Sequence, residues 1–288
     1  MYERDISRRD PGCVVFLLDR SDSMKSTWVN SQETLAQGAA RVLNEILLEL
    51  LFTSQGEPGK ARHYFDIGIF GYGLRPVAGG EGVEPAFGGK LDGQPLVALP
   101  DLRDNPIAVR ETPSVDIGAP PSRVPVWVEP VHGYRTPMCQ AVAVAGAHVY
   151  EWANAHPDSF PPIIINITDG MVTDSPYEGA SLEEWAQRLV NIQTSDGPTL
   201  FFNIFLSPAA SNGVLFPATD YGLPEPGPQL FRISSMLPPP MIANAQSTGT
   251  TVEPGARGFG FNADATMLVR FLEVGTKVEG GIIANSGH

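Results

Sequence analysis

The sequence predicts an α/β domain, doubly wound about a mostly parallel sheet. Three observations predict it. Apolar, β-rich runs such as Cys13-Val14-Val15-Phe16-Leu17-Leu18, Ile163-Ile164-Ile165 and Leu200-Phe201-Phe202 are of the kind buried on both faces of a parallel sheet. The chain between them is long enough for helical crossovers, and helical spacing recurs there. The first and the Ile163 run each end on an aspartate, Asp19 and Asp169, as strands do when they deliver side chains to one edge of a sheet.

Taken in order, the first strand is followed by Leu35, Ala39, Val42, Leu43, Ile46, Leu47 and Leu50 at helical spacing, with Ser31 as the expected N-cap and Gly56 beyond the end. A second strand is expected over about 64–70, leading to Gly71-Tyr72-Gly73. Ten prolines then fall between Pro76 and Pro130 and eight between Pro208 and Pro240, against none between Pro11 and Pro58. These windows read as irregular proline-rich insertions, at about 74–130 and 207–255, in a single domain spanning 1–288. The first is expected to hold a hairpin around Leu91-Asp92-Gly93-Gln94 and a short edge strand near Val126-Trp127-Val128. Thr136-Pro137 then reads as a cap and first turn of a helix running to about Ala155. Residues 163–168 form the fourth strand. Ser181-Leu182-Glu183-Glu184 is a capping box for a helix that shares Trp185, Leu189 and Ile192 on one face. The fifth strand covers 200–206 and the last 258–261. A final helix is expected behind Asn262, packing through Met267, Leu268, Phe271 and Leu272 and stopping at Gly275.

Composition narrows the function. With 32 Asp+Glu against 19 Lys+Arg in 288 residues, the net charge of −13 repels a phosphate backbone, and no basic run exceeds Arg8-Arg9. Nucleic acid is excluded as a partner. No apolar stretch is long enough to span a membrane, and the first residues carry no apolar segment, so a cytoplasmic location is expected. Cys13 and Cys139 lie in apolar surroundings and read as free buried thiols, which suits a reducing compartment.

Asp19-Arg20-Ser21-Asp22-Ser23 places a carboxylate and two hydroxyls in the loop after the first strand. In a Rossmann-like sheet of order 3-2-1-4-5-6, the first and fourth strands are neighbours where the winding reverses, and ligands bind outside their carboxyl ends. Asp19 and Asp169 then face one another, with Thr136 arriving from an intervening loop. Two carboxylates and three hydroxyls are hard oxygen donors suited to Mg²⁺, with Mn²⁺ or Ca²⁺ as alternatives. Each residue also has an ordinary role open to it: Thr136, Ser21 and Ser23 as helix caps, Asp169-Gly170 as a turn. His132 reads as a solvated loop residue, Cys139 as packing, Asp174 and Glu178 as rim charges.

Asp19-x-Ser21-x-Ser23, Thr136 within Gly133-Tyr134-Arg135-Thr136-Pro137-Met138, and Thr168-Asp169-Gly170, in this order and on these elements, resemble the metal-ion-dependent adhesion site (MIDAS) of von Willebrand factor type A (VWA) domains. The resemblance covers roughly 11–73 and 126–275. It implies that Ser21, Ser23 and Thr136 are direct ligands, Thr136 through water in a closed state, and that Asp19 and Asp169 act largely through bound water. Asp22 departs from the glycine usual in that family. The resemblance also implies a non-catalytic module whose ion is completed by an Asp or Glu carboxylate of a protein partner, with the last helix, about 263–274, shifting with affinity. Compact bacterial intracellular members suggest a stress-response, signalling or conflict system, with a protein kinase, a PP2C-type phosphatase or an AAA+ ATPase as partner. The alternative is a Mg²⁺-dependent phosphohydrolase of haloacid-dehalogenase type. That chemistry requires a second acid two residues after the nucleophile, where this chain has Ser21, and a lysine to balance phosphate. No HExxH, CxxC, GxSxG or GxxxxGK[ST] string supports another catalytic reading.

Overall fold

The first strand sets the layers. β1 (Gly12–Asp19) is buried at every position, and its side chains alternate between two cores: Val14, Phe16 and Leu18 on one face, Cys13, Val15 and Leu17 on the other. This computed structural model describes residues 1–28, 31–57, 60–75, 82–112, 122–207, 213–247, 249–263, 267, 270 and 271.

A single 3-10 turn, Asp22–Lys25, precedes α1 (Leu35–Thr53). The cap of α1 is Thr34 rather than Ser31: its hydroxyl accepts from the Gln37 amide while the Gln37 side chain accepts from the Thr34 amide. This reciprocal pair sits directly before the helix, whereas Ser31 spends its hydroxyl on the Glu33 amide. The helix ends at Thr53, so Gly56 falls in β2 (Gln55–Glu57), which pairs with β3 (Lys60–Ala61). β4 (Phe65–Tyr72) then lies parallel to β1, in register from Gly12↔Phe65 to Asp19↔Tyr72.

The first proline-rich window is more regular than its composition suggests. It holds β5 (Val83–Pro85), a 3-10 turn at Gly89–Leu91, β6 (Val97–Ala98), α2 (Leu99–Asp104), β7 (Ala108–Thr112) and β8 (Ser122–Val126). No hairpin forms around Leu91-Asp92-Gly93-Gln94; the chain leaves the 3-10 turn there through Gly93 at positive φ. The expected edge strand is also displaced, because β8 stops at Val126 and pairs with β7 outside the main sheet. Trp127 and Val128 continue as extended chain held by α1. The Asn44 amide donates to the Val128 carbonyl and accepts from the Trp127 and Val128 amides at 2.9, 2.8 and 3.2 Å, acting as a side-chain substitute for a neighbouring strand. Phe87, Leu91, Leu99, Leu102 and Trp127 of this window are core residues on the α1 side.

α3 (Met138–Ala155) leads to β9 (Ile163–Thr168), and the Ser181/Glu184 capping box opens α4 (Leu182–Val190) as expected. The short pair β10 (Gln193–Thr194) and β11 (Gly197–Pro198) precedes β12 (Leu200–Phe205). β13 (Val214–Leu215) comes next, and the second window, read as irregular, contains two helices, α5 (Gly227–Ile233) and α6 (Pro239–Ser247), before β14 (Phe259–Phe261). Of the final helix, Met267, Arg270 and Phe271 are helical; the rest of it lies outside the described residues. Phe271 is buried, stacked on Phe216 and edge-on to Phe202.

The sheet order is β13-β14-β12-β9-β1-β4-β5, with β6 also on β4. β4, β1, β9, β12 and β14 are parallel, which is the expected doubly wound α/β arrangement. In the order 3-2-1-4-5-6 the third place belongs to β5, an antiparallel edge strand from the first window. Helix α1, the first window and α6 cover one face, and α3, α4 and α5 cover the other. Among the described residues no helix is long and apolar enough to cross a membrane.

Candidate metal centre

Because β1 and β9 are adjacent and parallel, with Leu18 paired to Ile167, they finish at the same edge of the sheet. Asp19 is the last residue of β1, and Asp169 follows Thr168, the last of β9. Asp19 is 1% exposed. Its Oδ1 accepts from the Ser21 amide at 2.8 Å and its Oδ2 from the Thr168 hydroxyl at 2.6 Å. Burial pushes this carboxyl up to about 7; hydrogen bonds from Ser21 and Thr168 oppose the rise, and the charge of Asp169 adds to it. Asp169 is half-buried and accepts from the Ser23 hydroxyl at 2.7 Å, and burial raises it too.

None of the three hydroxyls serves as a helix cap. Ser21 occupies the cap position of the 3-10 turn without a side-chain cap bond, and its Oγ lies 3.0 Å from Ser23 Oγ. Thr136 is followed by Pro137, and α3 begins only at Met138 with no side-chain cap from its preceding residue. The free amides of Cys139 and Gln140 are instead taken by the two oxygens of Asp174, at 3.0 and 2.8 Å. Asp174 is thus the acid of the α3 N-terminus, not a rim charge. Thr136 is tied through its backbone, donating to Thr173 Oγ1 at 3.0 Å and accepting from the Thr173 amide at 3.1 Å. Its hydroxyl is left for the cleft.

The convergence can be measured at Gly170. A Cβ built there would stand 3.4 Å from Thr136 Oγ1, 3.6 Å from Ser23 Oγ and 3.8 Å from Asp19 Oδ2, so oxygens from the β1 end and its loop and from the Thr136 loop close on the loop that carries Asp169 and Gly170. Gly73 closes the arrangement behind. At φ +109°, any side chain there would meet the Arg135 carbonyl at 2.5 Å and the Ser21 amide at 2.8 Å, so glycine alone lets the β1, β4 and Thr136 loops touch.

All five predicted residues, Asp19, Ser21, Ser23, Thr136 and Asp169, are therefore brought together, and every donor is oxygen. Among the described residues no group of three or more His, Cys, Asp or Glu side chains could hold a metal. The donors here are two carboxylates and three hydroxyls, a set that fits a hard divalent cation and offers nothing to a soft one. Asp22 is turned away, paired with Lys25 Nζ at 2.6 Å and largely exposed. His132 is exposed. Cys139 is buried with its thiol pushed up to about 12, chiefly by burial, as expected of a packing residue.

Beneath the site runs a buried polar chain that the sequence reading missed. The Tyr72 hydroxyl donates to Asn166 Oδ1 at 2.7 Å, Asn166 Nδ2 donates to Asn203 Oδ1 at 3.0 Å, and Asn203 Nδ2 reaches Ser234 Oγ at 3.0 Å. Ser234 in turn donates to the Leu230 carbonyl of α5 at 2.8 Å. Asn166 and Asn203 are cross-strand partners. The available signal was an asparagine inside each of two otherwise apolar strands, since a buried amide needs partners.

No family model matches the sequence, and no curated protein matches it. Solved structures similar to the chain include the pilus adhesin SpaC from Lactobacillus rhamnosus GG, at 10% identity and a TM-score of 0.46 over 94% of this chain and 30% of that one. The manganese-loaded TRAP protein of Plasmodium vivax is 14% identical, with a TM-score of 0.41 over 93% of this chain and 74% of that one. The ArnB paralog VWA2 from Sulfolobus acidocaldarius is 15% identical, with a TM-score of 0.34 over 68% and 35%. The chain thus spans about a third of the length of SpaC and of VWA2.

Proposed function

We propose that this chain is a non-catalytic, metal-dependent protein-binding module of VWA type, whose MIDAS-like centre is completed by a partner's carboxylate. One observation carries the reading: Asp19, Ser21, Ser23, Thr136 and Asp169 reach one space from three loops at the edge where the sheet reverses its winding. Ser21, Ser23 and Thr136 would hold the ion, with Mg²⁺ first and Mn²⁺ or Ca²⁺ as alternatives, and Asp19 and Asp169 would balance its charge. Bound there, a divalent cation supplies an electrophilic position that an external carboxylate can fill. Both oxygens of Asp19 are already engaged by the Ser21 amide and the Thr168 hydroxyl. The chain's own role is to fix the three hydroxyls and keep them free of helix capping.

The same burial argues against the phosphohydrolase alternative. A carboxylate 1% exposed is poorly placed to attack a phosphate, and position 21 supplies a hydroxyl where that chemistry needs an acid. We place the module in a cytoplasmic stress-response, signalling or conflict system of bacterial type, with a kinase, PP2C-type phosphatase or AAA+ ATPase as the partner class. Capture from lysate of the source organism with Mg²⁺, with EDTA and with Asp19→Ala tests it. A partner held only by wild type in Mg²⁺ is expected. Identical captures in all three arms would remove the metal from the mechanism, and phosphatase turnover abolished by Asp19→Ala would replace the reading with the enzymatic one.

A further inference from the structure

We propose that Arg75 and Arg135, gathered on the ring of Tyr134, form a second recognition element beside the oxygen cluster, one that takes acidic residues flanking the partner's metal-seeking carboxylate. The inference rests on the reading of the site as a carboxylate-binding centre. The Arg75 guanidinium lies 5.3 Å and that of Arg135 5.2 Å from the Tyr134 ring centroid, and all three side chains are exposed. Among the described residues neither guanidinium has a carboxylate partner.

Their position is tied to the site by the backbone. Arg135 immediately precedes Thr136, and its carbonyl abuts Gly73 next to the Ser21 amide. Tyr134 donates its amide to the Gly73 carbonyl at 2.7 Å and accepts from the Asp22 amide. Arg75 stands two residues beyond Gly73. The aromatic ring thus gathers two positive charges onto the loops that carry Thr136 and adjoin Ser21.

The neighbouring basic side chains are already neutralised. Lys25 is paired with Asp22 at 2.6 Å, and the buried Arg20 faces Glu84 at 3.6 Å. Among the described residues, the unpaired positive charge on these loops is therefore that of Arg75 and Arg135, in a chain whose net charge of −13 otherwise repels acidic partners. Two like charges held together on a ring gain most from anions, and guanidinium forks pair bidentately with carboxylates. The complementary ligand is an acidic protein segment, not an isolated Glu or Asp in neutral surroundings.

The test uses two fluorescent decapeptides, one with a single Glu in a Gly-Ser background and one with that Glu flanked by two Asp on each side, titrated by polarisation at low ionic strength with Mg²⁺ or EDTA. Wild type with Mg²⁺ is expected to bind the acidic peptide about tenfold more tightly, the weight of two exposed charge pairs. The Arg75→Gln/Arg135→Gln double variant loses that advantage and keeps its affinity for the single-Glu peptide; Tyr134→Leu, which leaves both charges but not their gathering, falls between. An advantage that survives in the double variant, or a wild type that shows none, overturns the proposal. Single-Glu binding that ignores EDTA removes the metal-centre reading, while the arginine-dependent advantage still reports on the pair.

Discussion

Asp19 and Asp169 end neighbouring strands and face the same small space, yet one is almost wholly buried with both oxygens bonded inside the chain, and the other is half exposed and bonded to a single serine. The inner side of the centre belongs to the sheet. It is fixed by β1, by Thr168 of β9 and by the amide floor below. The outer side belongs to loops that solvent reaches, including the exposed Ser23. Folding thus buries a carboxyl on the inner side at a cost to its charged form, whereas the carboxylate on the outer side stays open to solvent.

The largest expected effect breaks the inner side. At ~4 Å a pair of unit charges interacts by about 4 kcal/mol at an effective dielectric near 20 and by about 1 kcal/mol in water. For a divalent ion both figures double, so Asp19→Ala should lower Mn²⁺ or Mg²⁺ affinity by at least about three powers of ten and Asp169→Ala by at least about one, read by titration calorimetry. Equal losses would erase the distinction.

The cost of the inner charge appears when divalent cations are withheld. The folded carboxyl of Asp19 titrates at about 7 against an ordinary 3.8, so the folded state holds the proton more tightly than the unfolded one. The contribution of Asp19 to stability is then greatest below about 4 and is lost as pH rises through about 7, by at most about 4 kcal/mol at ~1.4 kcal/mol per pH unit. Asp19→Asn should flatten that slope in EDTA melts, and a slope unchanged by the substitution would assign it elsewhere.

A smaller effect is expected from the floor. Asn203→Leu strips Asn166 of its acceptor and Ser234 of its donor, and should cost about 1–3 kcal/mol in denaturant unfolding. A neutral result would mean the amides find other partners. The smallest effects separate helix capping from the site. Asp174→Ala should cost ~1 kcal/mol by uncovering two α3 amides. Thr136→Val, which keeps the backbone bonds to Thr173 and nearly the same volume, should cost less stability than Asp174→Ala while still weakening cation binding. The opposite ranking would restore Thr136 as the cap.

Much of this was readable in the chain. Apolar runs ending on Asp19 and Asp169 disclosed both the parallel strands and the edge at which they stop, because burial on both faces suppresses polar residues until the strand leaves the core. The hydroxyl spacing of Ser21 and Ser23 and the loop before α3 completed the candidate set. The unread parts depend on distance in sequence. Asp174 caps a helix 35 residues earlier, and no local pattern separates that from a surface acid. Asn44 fixes Trp127 and Val128 across a separation of 83 and 84 residues, which let a proline-rich stretch be mistaken for an irregular one. Ser31 and Thr34 are both good caps by type, and only the reciprocal bond with Gln37 chooses between them.

Whether the three hydroxyls and two carboxylates hold one divalent cation is decided by anomalous diffraction from crystals grown with Mn²⁺. One strong peak bounded by Ser21, Ser23 and Thr136 is expected, absent in Asp19→Ala crystals. A map with no peak there, or with manganese only at other surface carboxylates, would contradict it.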